Sequence, residues 1–365
     1  LNVNHFSGVF DGNGHTISDF RVESDTSVIG FFGYLVQGRV EDLHLSGMTI
    51  EPDMSEAANY IVGGVVAYNM GGDVFGCSAE GQITLRHSQA DLLVYVGGIC
   101  GFVQGYGEDY SGTVSFCTSN VNIRSSGSQP VLAAGGVVGS AVGTAASAPA
   151  NVYNCVYSGS ISGRSMLSGG VVGYLRTFAS VANSFSAGSV YAQSPETVAA
   201  AGGLVGMAET ETAITWSYSS ATLHVNGQEP GSGLIEGTAV GLRYADGTAG
   251  VDSRQALLLG AYQTNSAGQL VQDGQAYDMT DPDTVFALLG WREAEWQFEN
   301  GRPSVLVSGA ETNAFTVTFD FSGESVTAEG NDGGMLSQTR DEVRVSGGSL
   351  PVYWIYGGDG RNTFI

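Results

Sequence analysis

One glycine motif recurs along this chain, and its spacing constrains the fold more than any other feature. A representative copy is Val96–Gly101 (Val-Gly-Gly-Ile-Cys-Gly), and its second glycine recurs at positions 30, 64, 98, 136, 170 and 203. The steps between these glycines are 34, 34, 38, 34 and 33 residues. A near-constant period of this length is typical of repeat proteins, in which each copy stacks on its neighbours.

A second segment follows each glycine motif after a loop, and its residues alternate between two faces. Five copies are Val74–Ile83, Val114–Ile123, Val152–Ile161, Val181–Val190 and Ile214–Leu223. This period of two predicts strands, and no stretch of the repeats keeps a helical period. Such strands cannot bury their apolar face alone, but stacking coil upon coil with parallel pairing buries it. We therefore predict an all-β fold, a right-handed parallel β-helix over residues 1–307, with the hand taken from the crossover rule.

Three of the four cysteines occupy equivalent positions in successive copies of this second segment. They are Cys77, Cys117 and Cys155, and the series continues as Ser184 and Ser217. We expect this series to form an inward ladder of small side chains that pack as the core does. Three stacked thiols cannot all pair with one another, so free cysteines are expected.

The residues around position 285 carry the clearest helix signal in the chain. Thr280 or Asp281 can act as the N-cap, Pro282 suits the first turn, and Gly290 can end the helix. A short capping helix is therefore predicted after the repeats.

Two tryptophans follow this helix, and a different composition begins after residue 307. Trp291 and Trp296 are expected to cover the last coil as part of a cap at about residues 278–307. Sugar stacking by either tryptophan is the alternative. Residues 314–365 alternate as strands, for example at Phe315–Phe321, and predict a small all-β domain. At about 50 residues it is near the lower size limit for an independent core, and its completeness stays open.

Charge and hydropathy exclude two classes of partner. The chain has 36 acidic and 13 basic residues, all of the latter arginine, and a formal net charge of −23. Such a field repels phosphate backbones and anionic membranes, so no nucleic-acid partner is expected. No apolar run reaches about 18 residues, so no membrane span is expected. Because Leu1 already lies inside a motif, we expect any signal peptide to lie outside this sequence.

The opening segment and the glycine repeats together resemble a known family. Phe6–Ile17 (Phe-Ser-Gly-Val-Phe-Asp-Gly-Asn-Gly-His-Thr-Ile), followed by repeated Gly-Gly-[Val/Leu/Ile]-Val-Gly, is similar to proteins that carry GLUG motifs. These are bacterial surface and secreted proteins, among them large adhesin-like proteins and IgA-specific metallo-endopeptidases. The resemblance extends over residues 6–306. It implies a non-catalytic part of a longer protein, with an attachment or display role and an extracellular or cell-surface location.

The sequence contains no established catalytic motif. None of the five histidines lies in His-Glu-x-x-His, and neither a Gly-x-Ser-x-Gly elbow nor a phosphate-binding loop is present. Asp11-Gly12-Asn13-Gly14 predicts a tight turn in preference to a calcium site, which needs more oxygen ligands. We expect no catalytic residues, no metal and no cofactor in this chain.

Aromatic residues near the loops that follow the glycine strands are the candidate ligand contacts. They are Tyr106, Tyr110, Tyr174 and Phe178, because aromatic faces stack on sugars. Packing or loop anchoring is the alternative role for each of them.

Two acidic pairs lie in the same set of loops. Glu108 with Asp109 and Glu209 with Glu211 would be the candidates if this β-helix were a lyase or glycosidase, since such enzymes use paired carboxylates. Solvated loop charges are the alternative.

Three functions stay open at this point. The first is a non-catalytic stalk or adhesin that contacts a host protein or glycan. The second is an accessory region of a surface metallopeptidase similar to the IgA-specific enzymes, with the active site elsewhere. The third is a carbohydrate-active β-helix enzyme.

Overall fold

The computed structural model describes residues 4–22, 26–54, 59–89, 92–228, 234–244 and 256–306, together with the strands within 315–364. The chain divides into two compact units, Leu1–Val307 and Ser308–Ile365. In the first unit the strands follow one another in coils of constant order.

The first three coils and the segment before them contain strands of two to nine residues. Before coil 1 lie β1 (Val9–Asp11), β2 (Thr16–Ser18) and β3 (Arg21–Val22). Coil 1 contains β4 (Val28–Ile29), β5 (Phe32–Val36), β6 (Arg39–Glu41) and β7 (His44–Ile50). Coil 2 contains β8 (Tyr60–Gly63), β9 (Val66–Met70), β10 (Asp73–Phe75) and β11 (Ser78–Arg86). Coil 3 contains β12 (Val94–Gly97), β13 (Cys100–Gln104), β14 (Gly112–Ser115) and β15 (Thr118–Ser126).

The later coils repeat this order. Coil 4 contains β16 (Val131–Gly135), β17 (Val138–Val142), β18 (Ala150–Tyr153), β19 (Val156–Tyr157) and β20 (Ser160–Gly163). Coil 5 contains β21 (Ser165–Gly169), β22 (Val172–Leu175), β23 (Ala179–Ala182), β24 (Phe185–Ser186) and β25 (Ser189–Val198). Coil 6 contains β26 (Ala200–Gly202), β27 (Val205–Ala208), β28 (Ala213–Ser219) and β29 (Thr222–Gln228). A partial coil 7 contains β30 (Leu234–Glu236), β31 (Val240–Tyr244) and β32 (Leu257–Gln263).

Three sheets run across the coils. Sheet 1 joins β4, β8, β12, β16, β21 and β26, and sheet 2 joins β5, β9, β13, β17, β22, β27, β31 and β30. Sheet 3 collects the other strands up to β32. Pairing between coils is parallel, and in sheet 1 the glycines Gly63, Gly97, Gly135, Gly169 and Gly202 stand in register. The predicted all-β parallel β-helix is confirmed.

Ladders of small and apolar side chains fill the interior of the coils. One ladder consists of Val40, Val74, Val114, Val152, Val181 and Ile214, which are fully buried. The predicted cysteine series forms a second ladder, and all four cysteines are buried and free. The Cys117 thiol donates to the Ser115 carbonyl at 3.2 Å, and the Ser184 hydroxyl donates to the Ala182 carbonyl at 2.8 Å. A thiol and a hydroxyl are therefore interchangeable at this position, because each donates its hydrogen bond to the backbone carbonyl two residues earlier.

The glycine motif forms a sharp bend between sheets 1 and 2. A Cβ placed on Gly97 would lie 2.0 Å from the Cys100 carbonyl oxygen, and one on Gly101 would lie 2.7 Å from the Val62 carbonyl oxygen. The backbones of the two sheets thus approach each other on the outer side of the bend. A side chain at either position would prevent this approach, which explains why the motif keeps glycine in copy after copy.

A second bend inside sheet 3 uses the left-handed conformation. It occurs once per coil, at Asp42, Gly76, Phe116, Asn154, Asn183 and Trp216, with φ from 44° to 63°. Glycine and asparagine adopt this region at low cost, whereas Phe116 and Trp216 are less common there. In coils 1 to 5 the bend separates β6 from β7, β10 from β11, β14 from β15, β18 from β19 and β23 from β24, and in coil 6 it lies within β28.

A segment of hairpins and one helix follows coil 7. It comprises β33 (Gln269–Gln272), β34 (Gln275–Asp278), α1 (Pro282–Leu289), β35 (Trp296–Glu299) and β36 (Arg302–Val305). The helix prediction is confirmed, with Asp281 as the N-cap, which accepts from the Thr284 amide at 3.2 Å. Gly290 ends the helix in the left-handed conformation, as its position predicts.

The tryptophans of this segment pack along the side of the solenoid. Trp291 and Trp296 stack with ring centroids 3.9 Å apart, and they join a buried cluster with Val156, Phe185 and Tyr218. Those three residues belong to coils 4, 5 and 6 and stand in register. The segment therefore braces three successive coils from outside, and burial leaves neither tryptophan available to stack on a sugar.

The second unit is described by its strands alone. They are β37 (Phe315–Phe321), β38 (Glu324–Gly330), β39 (Leu336–Thr339), β40 (Arg344–Ser346), β41 (Trp354–Tyr356) and β42 (Arg361–Phe364). They form two antiparallel three-stranded sheets, one of β38, β37 and β40 and one of β39, β42 and β41. The small β domain that the sequence predicts is thus present as antiparallel structure.

Candidate ligand-binding groove

The outer face of sheet 3 carries a groove of about 640 Å³, which we call the polar groove. It crosses coils 1 to 4, on β11, β15 and β20 and the residue that follows β7. Its lining consists of Glu51, Gln82, Thr84, Arg86, Asn122, Arg124, Ser126, Ser160 and Ser162. Every one of these side chains can donate or accept hydrogen bonds, and none is apolar.

Strand alternation places these side chains outside. Ile83, Ile123 and Ile161 pair in register across neighbouring coils and point into the core, where each is at most 1% exposed. The residues before and after each isoleucine must then face solvent, because successive side chains of a strand point to opposite sides. Ladders of outward polar residues follow, such as Thr84, Arg124 and Ser162.

Two arginines dominate the electrostatics of the polar groove. Arg86 and Arg124 are exposed, and neither forms an ion pair within the described part of the chain. Glu51, at the edge of the groove, pairs with Arg21 at 3.6 Å. The middle of the groove is therefore locally cationic on a strongly acidic chain.

Hydrogen bonding fixes one side-chain amide, that of Asn122, in the lining of the groove. The Asn122 Oδ1 accepts from the Ser160 amide at 3.1 Å and from the Ser160 hydroxyl at 2.7 Å. This orients the Asn122 amide nitrogen as a donor toward the groove, since an amide presents its oxygen and nitrogen on opposite sides. A preoriented donor of this kind suits a hydroxylated ligand.

An aromatic pair continues the same face beyond the groove. Tyr191 of β25 and His224 of β29 stand in register and stack with centroids 4.3 Å apart and planes 18° apart. Tyr191 is 38% exposed. The outer face of sheet 3 thus offers polar donors on coils 1 to 4 and a stacked ring pair on coils 5 and 6.

The structure places the predicted aromatic contacts in two groups. Tyr106 and Tyr110 flank a tight loop of coil 3 and exchange backbone hydrogen bonds, Tyr106 N–H to Tyr110 O at 2.8 Å and the reverse at 3.2 Å. Tyr110 is 51% exposed. The acidic pair Glu108 and Asp109 lies at the exposed tip of this loop. The loop is anchored by coil 4, where the Thr144 hydroxyl donates to the Gly107 carbonyl at 2.8 Å.

Tyr174 and Glu209 form the second group, on coils 5 and 6. The Tyr174 hydroxyl donates to Glu209, and the Thr177 amide and hydroxyl donate to the other oxygen of Glu209 at 3.2 Å each. Arg176 pairs with Glu209 at 3.5 Å and lies 5.5 Å from the centroid of the Tyr174 ring. Burial, assisted by the bond to Glu209, raises the pKa of Tyr174 well above its usual value. Glu209 is thus occupied by loop contacts on both oxygens.

The remaining two predicted residues, Phe178 and Glu211, are loop positions with a left-handed backbone. Their φ angles are 57° and 56°, and the Phe178 amide donates to the Glu211 carbonyl at 3.0 Å. The two groups belong to coils 3 and 5–6, so at the 4.8 Å strand spacing they lie about 10 Å or more apart along the stack. They do not converge on one pocket.

Sequence reasoning missed the residues of the polar groove. Their signal lies in the outward positions of the second repeat segment, where Arg86 and Arg124 interrupt runs of Ser, Thr, Asn and Gln. The alternation of residues shows which side chains point outward, but it does not show which of them border a groove. That depends on the course of the neighbouring coils.

Among the described residues, no three His, Cys, Asp or Glu side chains come together as a possible metal site. The described residues include no helix with the length and hydropathy needed to traverse a bilayer.

Comparisons with known proteins point to the repeat rather than to an activity. A solved Bacteroides ovatus structure, described as a "putative immunoglobulin A1 protease", is similar at 19% identity and a TM-score of 0.49, over 82% of this chain and 77% of that chain. No curated protein matches the chain. The family model of the GLUG motif matches residues 58–84, which include β8, β9, β10 and most of β11 in coil 2. The chain therefore carries a GLUG motif, and that motif is one coil of a parallel β-helix.

Proposed function

We propose that this chain is a non-catalytic binding module of a bacterial secreted or cell-surface protein, and that its polar groove binds glycans. The observation that supports this most is the groove itself, with its 640 Å³ volume and wholly polar lining. Sites for small apolar molecules are lined mainly by hydrophobic and aromatic side chains, so the groove does not suit that class of ligand.

The arrangement of the groove matches the chemistry of sugars. Side chains of serine, threonine, asparagine, glutamine and arginine form hydrogen bonds with hydroxyl groups. The groove has eight such side chains in one patch: Gln82, Thr84, Arg86, Asn122, Arg124, Ser126, Ser160 and Ser162. The donors stand on strands that are paired in register, so their spacing is preorganised. Beyond the groove, the Tyr191–His224 stack provides a face for a further ring.

The carboxylates favour binding over cleavage. Glycosidases place two carboxylates about 5 to 9.5 Å apart across the scissile bond. The lining of the polar groove contains one carboxylate, Glu51, and this is paired with Arg21. Glu209, from the predicted acidic pairs, is held by Tyr174 and Thr177.

The GLUG match and the resemblance of the repeats to bacterial surface proteins support the secreted or surface setting. Successive coils add about 4.8 Å each, so the same stack also acts as a spacer that displays its outer face.

A glycan array followed by mass spectrometry of the bound sugars tests this proposal. We expect binding without cleavage for the chain, and loss of binding for Ser162→Trp, which fills the groove. Gln297→Trp places the same ring on an exposed strand of the β35–β36 hairpin and should bind as the parent does.

The loop aromatics serve as the competing site in the same experiment. If Tyr106→Ala with Tyr110→Ala abolishes binding while Ser162→Trp leaves it intact, the groove is not the site. Release of shortened sugars would show an enzyme and overturn the non-catalytic proposal.

A further inference from the structure

We propose that the polar groove selects glycans whose sugars carry a carboxylate, and that Arg86 and Arg124 hold this acidic group. The inference rests on the proposed glycan-binding function and names the class of sugar. It is argued from the charge, geometry and neighbours of these two arginines.

Within the part of the chain that the structure describes, these two arginines lack the acidic partner that Arg21 and three further arginines have. Arg39 contacts Glu41 and Asp73, Arg176 contacts Glu209, and Arg292 contacts Glu295. Within the described residues, Arg86 and Arg124 have no such partner although acidic residues outnumber basic ones 36 to 13. Two like charges kept close together without a counter-charge are unfavourable unless a ligand supplies it.

Their positions bring them within reach of one acidic ligand. Thr84 pairs with Arg124 and Arg86 pairs with Ser126, so the two arginines are diagonal neighbours on adjacent parallel strands. Strands about 4.8 Å apart and a rise of about 3.3 Å per residue place their Cα atoms about 8 Å apart. Both side chains are long enough to meet over the groove, and a guanidinium binds a carboxylate through two parallel hydrogen bonds.

Hydroxyl and amide donors surround the pair. Thr84, Ser126 and Ser162 occupy the neighbouring outward positions of β11, β15 and β20, and Asn122 directs its amide nitrogen into the same space. A sugar carboxylate on the arginines would leave its ring hydroxyls beside these groups. A phosphate polymer is disfavoured, because the rest of the chain is strongly acidic and Glu51 borders the groove.

Binding of two matched polysaccharides tests the inference. Polygalacturonate carries one carboxylate per sugar, and its fully methyl-esterified form has the same backbone without the charge. We expect the chain to bind polygalacturonate at least tenfold more tightly, with the preference decreasing at high salt because exposed charge pairs are screened. Arg86→Gln with Arg124→Gln should remove the preference while retaining binding of the esterified polymer.

A third arginine provides the charge control. Arg302 is exposed on the β35–β36 hairpin, so Arg302→Gln removes one positive charge outside the groove and should keep the preference. Equal binding of both polymers by the parent chain would overturn the acidic selectivity and leave the glycan-binding function standing. Binding of neither polymer, nor of any sugar on the array, would overturn both. A preference for sulfated over carboxylated polymers would also refute the carboxylate assignment.

Discussion

Two regions on the outer side of the same coils differ in almost every property. The polar groove lies on sheet 3, and the side chains that line it are polar and either half-buried or exposed. The bend between sheets 1 and 2 lies elsewhere on each coil, and there the outward side chains form an apolar cluster that includes Tyr95, Phe102 and Leu242. Tyr95 meets Phe102 edge to face at 5.0 Å, and each is 7% exposed.

The difference shows that "outside the coil" is not equivalent to "in solvent". Glycine at positions such as Gly97 and Gly101 lets the two sheets close on each other, so their outer faces become a second core. On sheet 3 no such closure covers β11 and β15, and the outward ladders stay open to a ligand. The same alternation of side chains therefore produces packing in one region and a binding surface in the other.

The largest effect on stability is expected when the glycine bend between sheets 1 and 2 is opened. A Cβ on Gly135 would lie 1.8 Å from the Val138 carbonyl oxygen, so Gly135→Ala forces the backbones apart. We expect a loss of about 4 kcal/mol or more in the free energy of unfolding, or no folded protein, measured by urea denaturation. Gly107→Ala is the control: its Cβ meets nothing within 4 Å, and its left-handed φ of 64° costs about 1 to 2 kcal/mol. Equal losses for both variants would show that close approach is not the reason for the glycine.

A smaller effect is expected when one aromatic is removed from the apolar cluster. Phe102→Ala should lower the free energy of unfolding by about 3 kcal/mol, because the ring is buried between two sheets. Thr84→Ala, also an outward strand residue, should change it by less than about 0.5 kcal/mol, because the polar groove is open. A loss for Thr84→Ala as large as that for Phe102→Ala would contradict the distinction between the two regions.

Glu209 tests whether the predicted acidic pair is structural. Glu209→Gln removes the ion pair with Arg176 and weakens the bonds from Tyr174 and Thr177. We expect a loss of about 1 kcal/mol in the free energy of unfolding, whereas Glu108→Gln at the exposed loop tip should have almost no effect. An unchanged stability for Glu209→Gln, with a change in ligand binding, would instead place this residue in a binding site.

Alkaline pH provides the smallest and most specific test of the packed interior. Burial raises the pKa of Tyr157, Tyr174 and Tyr218 above the ordinary value of about 10. Their stabilising contribution is complete below pH 10 and is lost as the pH rises further, by up to about 1.4 kcal/mol per unit for each tyrosine.

Tyr157→Phe separates this contribution from simple packing. At neutral pH the variant lacks the hydrogen bond to the Val121 carbonyl, 3.3 Å long, and should be less stable by about 1 kcal/mol. Between pH 10 and 11 the difference should shrink and reverse, because the variant has no hydroxyl to ionise. A difference that stays constant over this range would contradict the assignment of the pKa shift to Tyr157.

Much of the architecture follows from local pattern and period. The recurring glycines predicted one strand of sheet 1 per copy, and Cys117 and Cys155 lie in the inward ladder because a period of two places them on the face of Val121 and Ile161. The helix at Pro282–Leu289 was equally predictable, since the residues that begin and end it lie within about ten positions of one another. In each case the physical cause acts between neighbours in the sequence or between identical positions of successive repeats.

The candidate binding site could not be predicted from local sequence patterns in this way. Tyr174 was predicted as a ligand contact because it lies near a loop, yet in the structure it belongs to β22 and its hydroxyl donates to Glu209 of the next coil. Trp291 reaches the Trp216 carbonyl at 2.8 Å, 75 residues earlier, and so braces the side of the coils. That the chain coils, and which faces of its strands point inward, follows from the sequence because alternation and period are local. Which outer face closes into a second core and which stays open as the polar groove is a property of the tertiary structure, because it depends on how closely the backbones of separate sheets approach.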